Sequence, residues 1–169
     1  MLRGLSLLAL SLACLTVLPS CIVKTTVGTD NLNVAAGSTF KFGNVVMAPA
    51  VMDTATERQS SQIENGYEKW VSALGQRFDK QADKSDIGGD GQPVRATVTA
   101  FNPGNRWLRW VWGYSRKAWA TATIEFDCGA AGSFTMDGVM RYGWWMGGSP
   151  KSLFGSMGRS AAKHLAKKN

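Results

Sequence analysis

Few side chains in this sequence could do acid–base or nucleophilic chemistry. A serine or cysteine nucleophile needs a base within hydrogen-bond reach. His164 is the one histidine. It stands between Lys163 and Leu165 near the end of a C-terminal helix and reads as solvated. Ser160-Ala161-Ala162-Lys163 has the Ser-x-x-Lys spacing of penicillin-recognising enzymes. Neither a Ser-Asp-Asn nor a Lys-Thr-Gly partner accompanies it, and it falls on a polar helix face, so the match reads as chance. Glu125 and Asp127 lie two residues apart on one strand face. Glycoside hydrolysis needs two carboxyls across a cleft, so this pair reads as a solvated face. Asp83 to Gly91 has the composition of a calcium loop, but Ser85 and Ile87 occupy its third and fifth positions and no Glu closes it. With three cysteines and one histidine, most zinc sites are excluded. No Gly-x-Gly-x-x-Gly or Walker sequence is present. The expectation is no enzyme, no catalytic residue, no metal and no cofactor.

Cys21 carries the clearest chemistry. Met1-Leu2-Arg3 is a short positive start, and 4–18 is an apolar run broken only by small or hydroxyl residues. These are the first two regions of a secretory signal peptide, too short for a stable membrane span. Leu18-Pro19-Ser20-Cys21 follows and resembles the lipobox of bacterial lipoproteins. The thiol is the group that forms a thioether to diacylglycerol, and the small residue before it admits the peptidase. Pro19 departs from the usual pattern. Cys14 is a poorer candidate, because Ser11 stands where an aliphatic residue is needed. The competing reading is an ordinary signal peptide cleaved near Cys21 without lipid. Ile22 rather than Asp follows Cys21, which by resemblance to enteric sorting implies the outer membrane, periplasm-facing. Two or three acyl chains hold such a protein essentially permanently. Cys128 then remains as the free thiol and reads as a buried small hydrophobe; the sharper alternative is an intermolecular disulfide.

The 169 residues fit one domain. Apolar residues make up 44%, enough for a packed core, and charged residues only 18%. The net charge is +7, and seven tryptophans must be placed somewhere. No long uncharged run lies beyond the N-terminus, so no internal membrane span is expected.

Positioning elements follow from periodicity. Residues 21–38, rich in Thr, Asn, Gly and Ala, read as lipid anchor and tether. Residues 39–48 read as a strand that Pro49 stops. Ile63, Tyr67, Trp70, Val71, Leu74 and Phe78 form one face of a helix over 59–80, with Ser60 or Ser61 as cap and Glu64 completing a capping box with Ser61. A polar loop covers 81–93. Residues 94–101 and 117–127 alternate as strands, and 129–132 close a hairpin onto a strand over 133–144. A helix over 150–167 turns Leu153, Phe154, Met157, Ala161 and Leu165 inward and Arg159, Lys163, Lys167 and Lys168 outward. The expectation is a signal peptide over 1–20, the tether, and a single α/β (α+β) domain over 39–169. That domain is a small, mostly antiparallel sheet of about four strands with two helices on one face.

Between the strands, Gly104-x-Arg106-x-x-Arg109-x-x-x-Gly113 gives a Gly/Arg signature. With the following strand ending Glu125-Phe126-Asp127, a Gly turn and an amphipathic last helix, it resembles a group of small bacterial lipoproteins defined by a domain of unknown function. The likeness covers about 39–166. That group is distantly similar to outer-membrane accessory lipoproteins of the curli-secretion and penicillin-binding-protein-activator type. The resemblance implies an α/β fold and non-enzymatic work at the envelope. Trp107, Trp110 and Trp112 make this segment more aromatic than the group. Three readings of it compete. Arg106 and Arg109 could bind carbonyls or carboxylates such as Asp127 or Asp137 while the Trp rings fill the core. The segment could sit at lipid headgroups, or form a protein-binding hot spot. Nucleic acid is excluded by export. Arg106, Trp107, Arg109, Trp110 and Trp112 are therefore the candidate interaction residues. The expected function is a non-catalytic, lipid-anchored accessory or interaction module at the periplasmic face of the outer membrane. Its partners would be the membrane, through the lipid, and an envelope protein. The alternative is a lipoprotein that binds or hydrolyses cell-wall glycan, which requires Glu125, Asp127 and Trp residues in one cleft.

Overall fold

The computed structural model describes residues 22–105, 119–141 and 149–169. Strand β1 (Ile22–Leu32) is followed by β2 (Phe40–Met47), the short helix α1 (Pro49–Asp53) and the long helix α2 (Glu57–Lys84). Then come β3 (Gln92–Asn102), β4 (Ala120–Asp127), β5 (Gly132–Arg141) and helix α3 (Pro150–Lys168). The five strands form one sheet in the order β1-β5-β4-β3-β2. Only β2 and β3 run parallel, because α1 and α2 carry the chain across between them; the other neighbours are antiparallel.

The class is the expected mixed α/β one, with both long helices on one face of the sheet. The extra strand is β1, in the segment read as a tether. Its Ile22-Val23-Lys24-Thr25-Thr26-Val27 run is rich in β-branched residues, which suit a pleated surface. It pairs with β5 from Ile22↔Arg141 to Leu32↔Gly132. Polarity hid it: as an edge strand, mostly exposed, it buries little and needs few apolar residues.

Alternation sets the inner face. Val94, Ala96 and Val98 of β3, Ala122, Ile124 and Phe126 of β4, and Phe134, Met136 and Met140 of β5 are buried. Phe126 and Phe134 are cross-strand partners and stack at 5.0 Å. A bulge in β3 between Val98 and Ala100 turns Phe101 inward, where it meets Trp70 and Phe154 at 5.1 and 5.4 Å. Helix α2 begins two residues earlier than expected. Its capping box is Thr56 with Gln59: the Thr56 backbone amide donates to Gln59 Oε1 at 2.9 Å, and the Gln59 backbone amide donates to the Thr56 hydroxyl at 3.4 Å. Ile63, Trp70, Leu74 and Phe78 are buried as the period requires, whereas Val71 is half-buried.

The two helices lie against each other through small residues. Gly155, Gly158, Ala161 and Ala162 of α3 are all buried. A Cβ added to Gly158 would fall on the Leu74 carbonyl oxygen, closer than any side-chain carbon can sit. Beneath them, Gly138 of β5 leaves room for Leu153 and Met157, which would lie 2.8 and 2.6 Å from an added Cβ.

In an open helix, Gly to Ala gains up to about 1 kcal/mol. For Gly158→Ala the sign reverses, because the helices must part. The expected loss is about 1–3 kcal/mol. At about 2–4 °C per kcal/mol for a chain of this length, thermal unfolding reads it directly. A midpoint equal to or above wild type would show that α2 and α3 do not touch here.

Candidate functional site

Cys21 and the candidate interaction residues Arg106, Trp107, Arg109, Trp110 and Trp112 lie outside the described residues. The strand ends that flank them are described. Ile22, the first residue of β1, is opposite Arg141, the last of β5. Ala120 of β4 is opposite Met140, and Thr121 is opposite Asn102, the last of β3. Met47, the last of β2, is beside Val98. One end of the sheet therefore gathers Ile22, Asn102, Trp119 and Arg141, while β2 stops short of it. There the Arg141 guanidinium carbon lies 4.5 Å from the centroid of the Trp119 ring, a cation over an aromatic face.

A groove opens along the β2 edge, with a volume of about 580 Å³. Val45, Val46, Met47, Met52 and Ile63 give it apolar walls, and Glu64, Glu68 and Lys69 line it with charge. The Tyr67 hydroxyl donates to the Val45 carbonyl at 3.1 Å, and burial pushes the phenol pKa up. Further along the strand, the Phe42 amide donates to Asp79 at 3.0 Å. Side chains of α2 thus occupy backbone groups of the edge strand, which would otherwise template strand addition. Sequence reasoning missed this groove. Its signal was Val45-Val46-Met47: three consecutive apolar residues cannot all face one side of a strand. Val46 is the one left outward, at 51% exposure.

The titratable candidates are dispersed. Glu125 and Asp127 are exposed on the outer face of β4, opposite Thr135 and Ser133. Asp127 accepts from the Gly129 amide at 2.9 Å and closes the β4–β5 turn. The neighbouring β3 adds Arg95 and Thr97, and on β4 itself the Thr123 hydroxyl donates to Asp137 of β5 at 2.7 Å. This is a flat polar face, and the groove lies elsewhere.

The expectation of a solvated His164 is corrected. A bulge in β1 between Val27 and Asp30 turns Asp30 to the helix side. His164 Nε2 lies 3.1 Å from Asp30 Oδ2, and the Lys168 ammonium lies 3.0 Å from the same oxygen. The imidazole also meets the Phe134 ring at 5.0 Å. Lys168 faces outward as expected and still reaches β1. The Ser160 hydroxyl is 2.9 Å from the Thr25 hydroxyl, and no hydrogen bond joins it to His164 or Lys163. These residues fasten α3 to β1. Among the described residues no cluster of three His, Cys, Asp or Glu could hold a metal ion.

Cys128 is fully buried, and burial, with Asp127 adding to it, raises its thiol to about 12. It bonds through its amide to Gly132, at the opposite end of β5 from Arg141. Ten residues of β5 at about 3.3 Å each separate the two ends by about 30 Å. Ile22, opposite Arg141, therefore stands at the far end of the sheet from Cys128.

No family model matches this chain, and no curated protein does. Among solved structures, a PelC dodecamer from Paraburkholderia phytofirmans aligns with a TM-score of 0.43 and 11% identity, over 87% of this chain and 98% of that chain. A point variant of a PelC dodecamer from the same organism gives 0.41 and 10%, over 85% and 98%. At this identity and TM-score the likeness says nothing about what this chain does.

Two outcomes follow from the geometry. The Lys168 hydrogen bond holds the Asp30 carboxyl below its ordinary 3.8, aided by the Leu32 amide and His164. The stability this supplies is present above 3.8 and is lost as pH falls through the lowered value. Asp30→Asn is therefore less stable than wild type at pH 7, and denaturant titrations should show the gap closing below about pH 4. Second, Cys128 in the folded protein should resist a thiol reagent at pH 8 and react in denaturant. Rapid native labelling would contradict its burial.

Proposed function

We propose that this chain is a non-catalytic, lipid-anchored envelope protein, an accessory or interaction module at the periplasmic face of the outer membrane. The observation that carries the reading is Leu18-Pro19-Ser20-Cys21 behind a signal-like apolar run, with the folded sheet beginning at the very next residue. The resemblance to small bacterial lipoproteins of the Gly-x-Arg-x-x-Arg-x-x-x-Gly type supports the same role. So does the fate of the side chains that would otherwise suggest chemistry. Ser160, His164, Asp30 and Asp127 are each occupied in fastening an element. The interaction residues are Arg106, Trp107, Arg109, Trp110 and Trp112, and the groove between β2 and α2 is a second binding surface. The groove suits an apolar segment, because its walls are Val, Met and Ile, with Glu64 and Glu68 to orient a basic flank.

Labelled palmitate tests the anchor. Wild type should incorporate label and fractionate with the outer membrane. Cys21→Ala should lose both the label and the membrane fraction. Unlabelled wild type in the soluble fraction would overturn the reading.

A further inference from the structure

We propose that the domain stands upright on the bilayer with no tether. The end of the sheet formed by Ile22, Trp119 and Arg141 would lie in the lipid headgroup layer, and the β4–β5 turn would point away from it. This rests on lipidation of Cys21. Ile22 already sits in the ladder opposite Arg141, and Val23 opposite Met140. One trans peptide puts the acylated residue about 3.8 Å from the Ile22 Cα. A diacylglyceryl thioether lies at the boundary of hydrocarbon and headgroups. The polar layer on each side of a bilayer is only about 5–8 Å thick. The first rungs of β1 and β5 therefore fall within or against that layer.

The side chains at this end fit such a place. Ile22 is 63% exposed. Trp119 and Arg141 form a cation–aromatic pair on the outer face of the sheet. An indole is favoured at headgroup depth, and a guanidinium meets lipid phosphate there. Ile22 is one of three exposed large apolar side chains among the described residues, with Val27 and Val46, and it stands at this end. The opposite end holds Asp83 in the last turn of α2, Asp86 and Asp90 in the loop after it, the latter paired with Lys41, and the Asp127 turn. Both anchor and chemistry thus point the same end at the membrane. β1 then runs away from the bilayer for its full 11 residues, about 36 Å.

The test uses the full lipidated protein reconstituted in phosphatidylethanolamine/phosphatidylglycerol vesicles doped with a headgroup spin-labelled lipid. In a Cys128→Ala background, Thr121→Cys marks the near end and Ala130→Cys the far end, each carrying a bimane. The 121 label should be quenched several-fold more than the 130 label. A ten-residue Gly/Ser spacer between Cys21 and Ile22 should abolish the difference. The unsubstituted protein provides a second readout: amide exchange at 48–54 and 103–105 should slow on vesicles, while 128–132 is unchanged. Equal quenching, or stronger quenching at 130, in a protein that remains membrane-bound overturns the upright orientation alone. Wild type without palmitate overturns the anchor and this inference with it.

Discussion

Strand β1 lies along β5 on one side and faces solvent on the other. That single pairing supplies the partner for what would otherwise be an open edge of β5. It also reaches the helical layer: Thr25 touches Ser160 near the middle of α3, and Asp30 gathers His164 and Lys168 at its end. A terminal strand held only by its ladder would fray. Here three side-chain contacts on a second layer hold it, and α3 is fixed along its length in return. The start of the folded domain is therefore set within one residue of Cys21, and the position of the sheet relative to any lipid on that residue follows from it.

The helical layer obeys a different constraint. Two helices of 28 and 19 residues must share one face of a five-stranded sheet. Large residues fill the space between sheet and helix, such as Phe78, Phe154 and Met157, while glycine and alanine let the helices meet. The sequence made the first requirement visible as a 3.6-residue stripe. It also showed the inner face of β4 and β5 as strict alternation. Such signals come from burial, and they are strong where burial is deep.

What stayed hidden has the same origin. β1 buries little, so its alternation was masked by Thr and Asn and it read as a tether. Asp30 was beyond sequence reasoning because one bulge decides which face it takes, and a bulge has no composition of its own. With Asp30 misplaced, His164 had no visible partner and read as solvated. The groove was legible in principle from Val45-Val46-Met47, because an apolar triplet at an edge strand must expose one member. The capping box was displaced by five residues for a simpler reason: Thr56-x-x-Gln59 satisfies the same geometry as Ser61-x-x-Glu64 and lies further upstream.

These placements bear on how such a molecule could act. Binding energy at a protein surface comes from apolar area withdrawn from water beside polar groups whose partners are already fixed. The outer sheet face offers mainly Thr, Ser and carboxylates, whose hydration a partner would have to replace group by group. The β2–α2 groove offers Val, Met and Ile, with the Tyr67 hydroxyl and the Val45 carbonyl already satisfied by each other. A ligand there gains apolar burial without stranding a backbone acceptor. Val98, where β2 ends, lies level with Ile124, Met136 and Val27, so the groove opens five rungs from Ile22 and on the opposite edge of the sheet. A short attachment at Cys21 would still restrict the groove's height and orientation in a way a flexible tether would not.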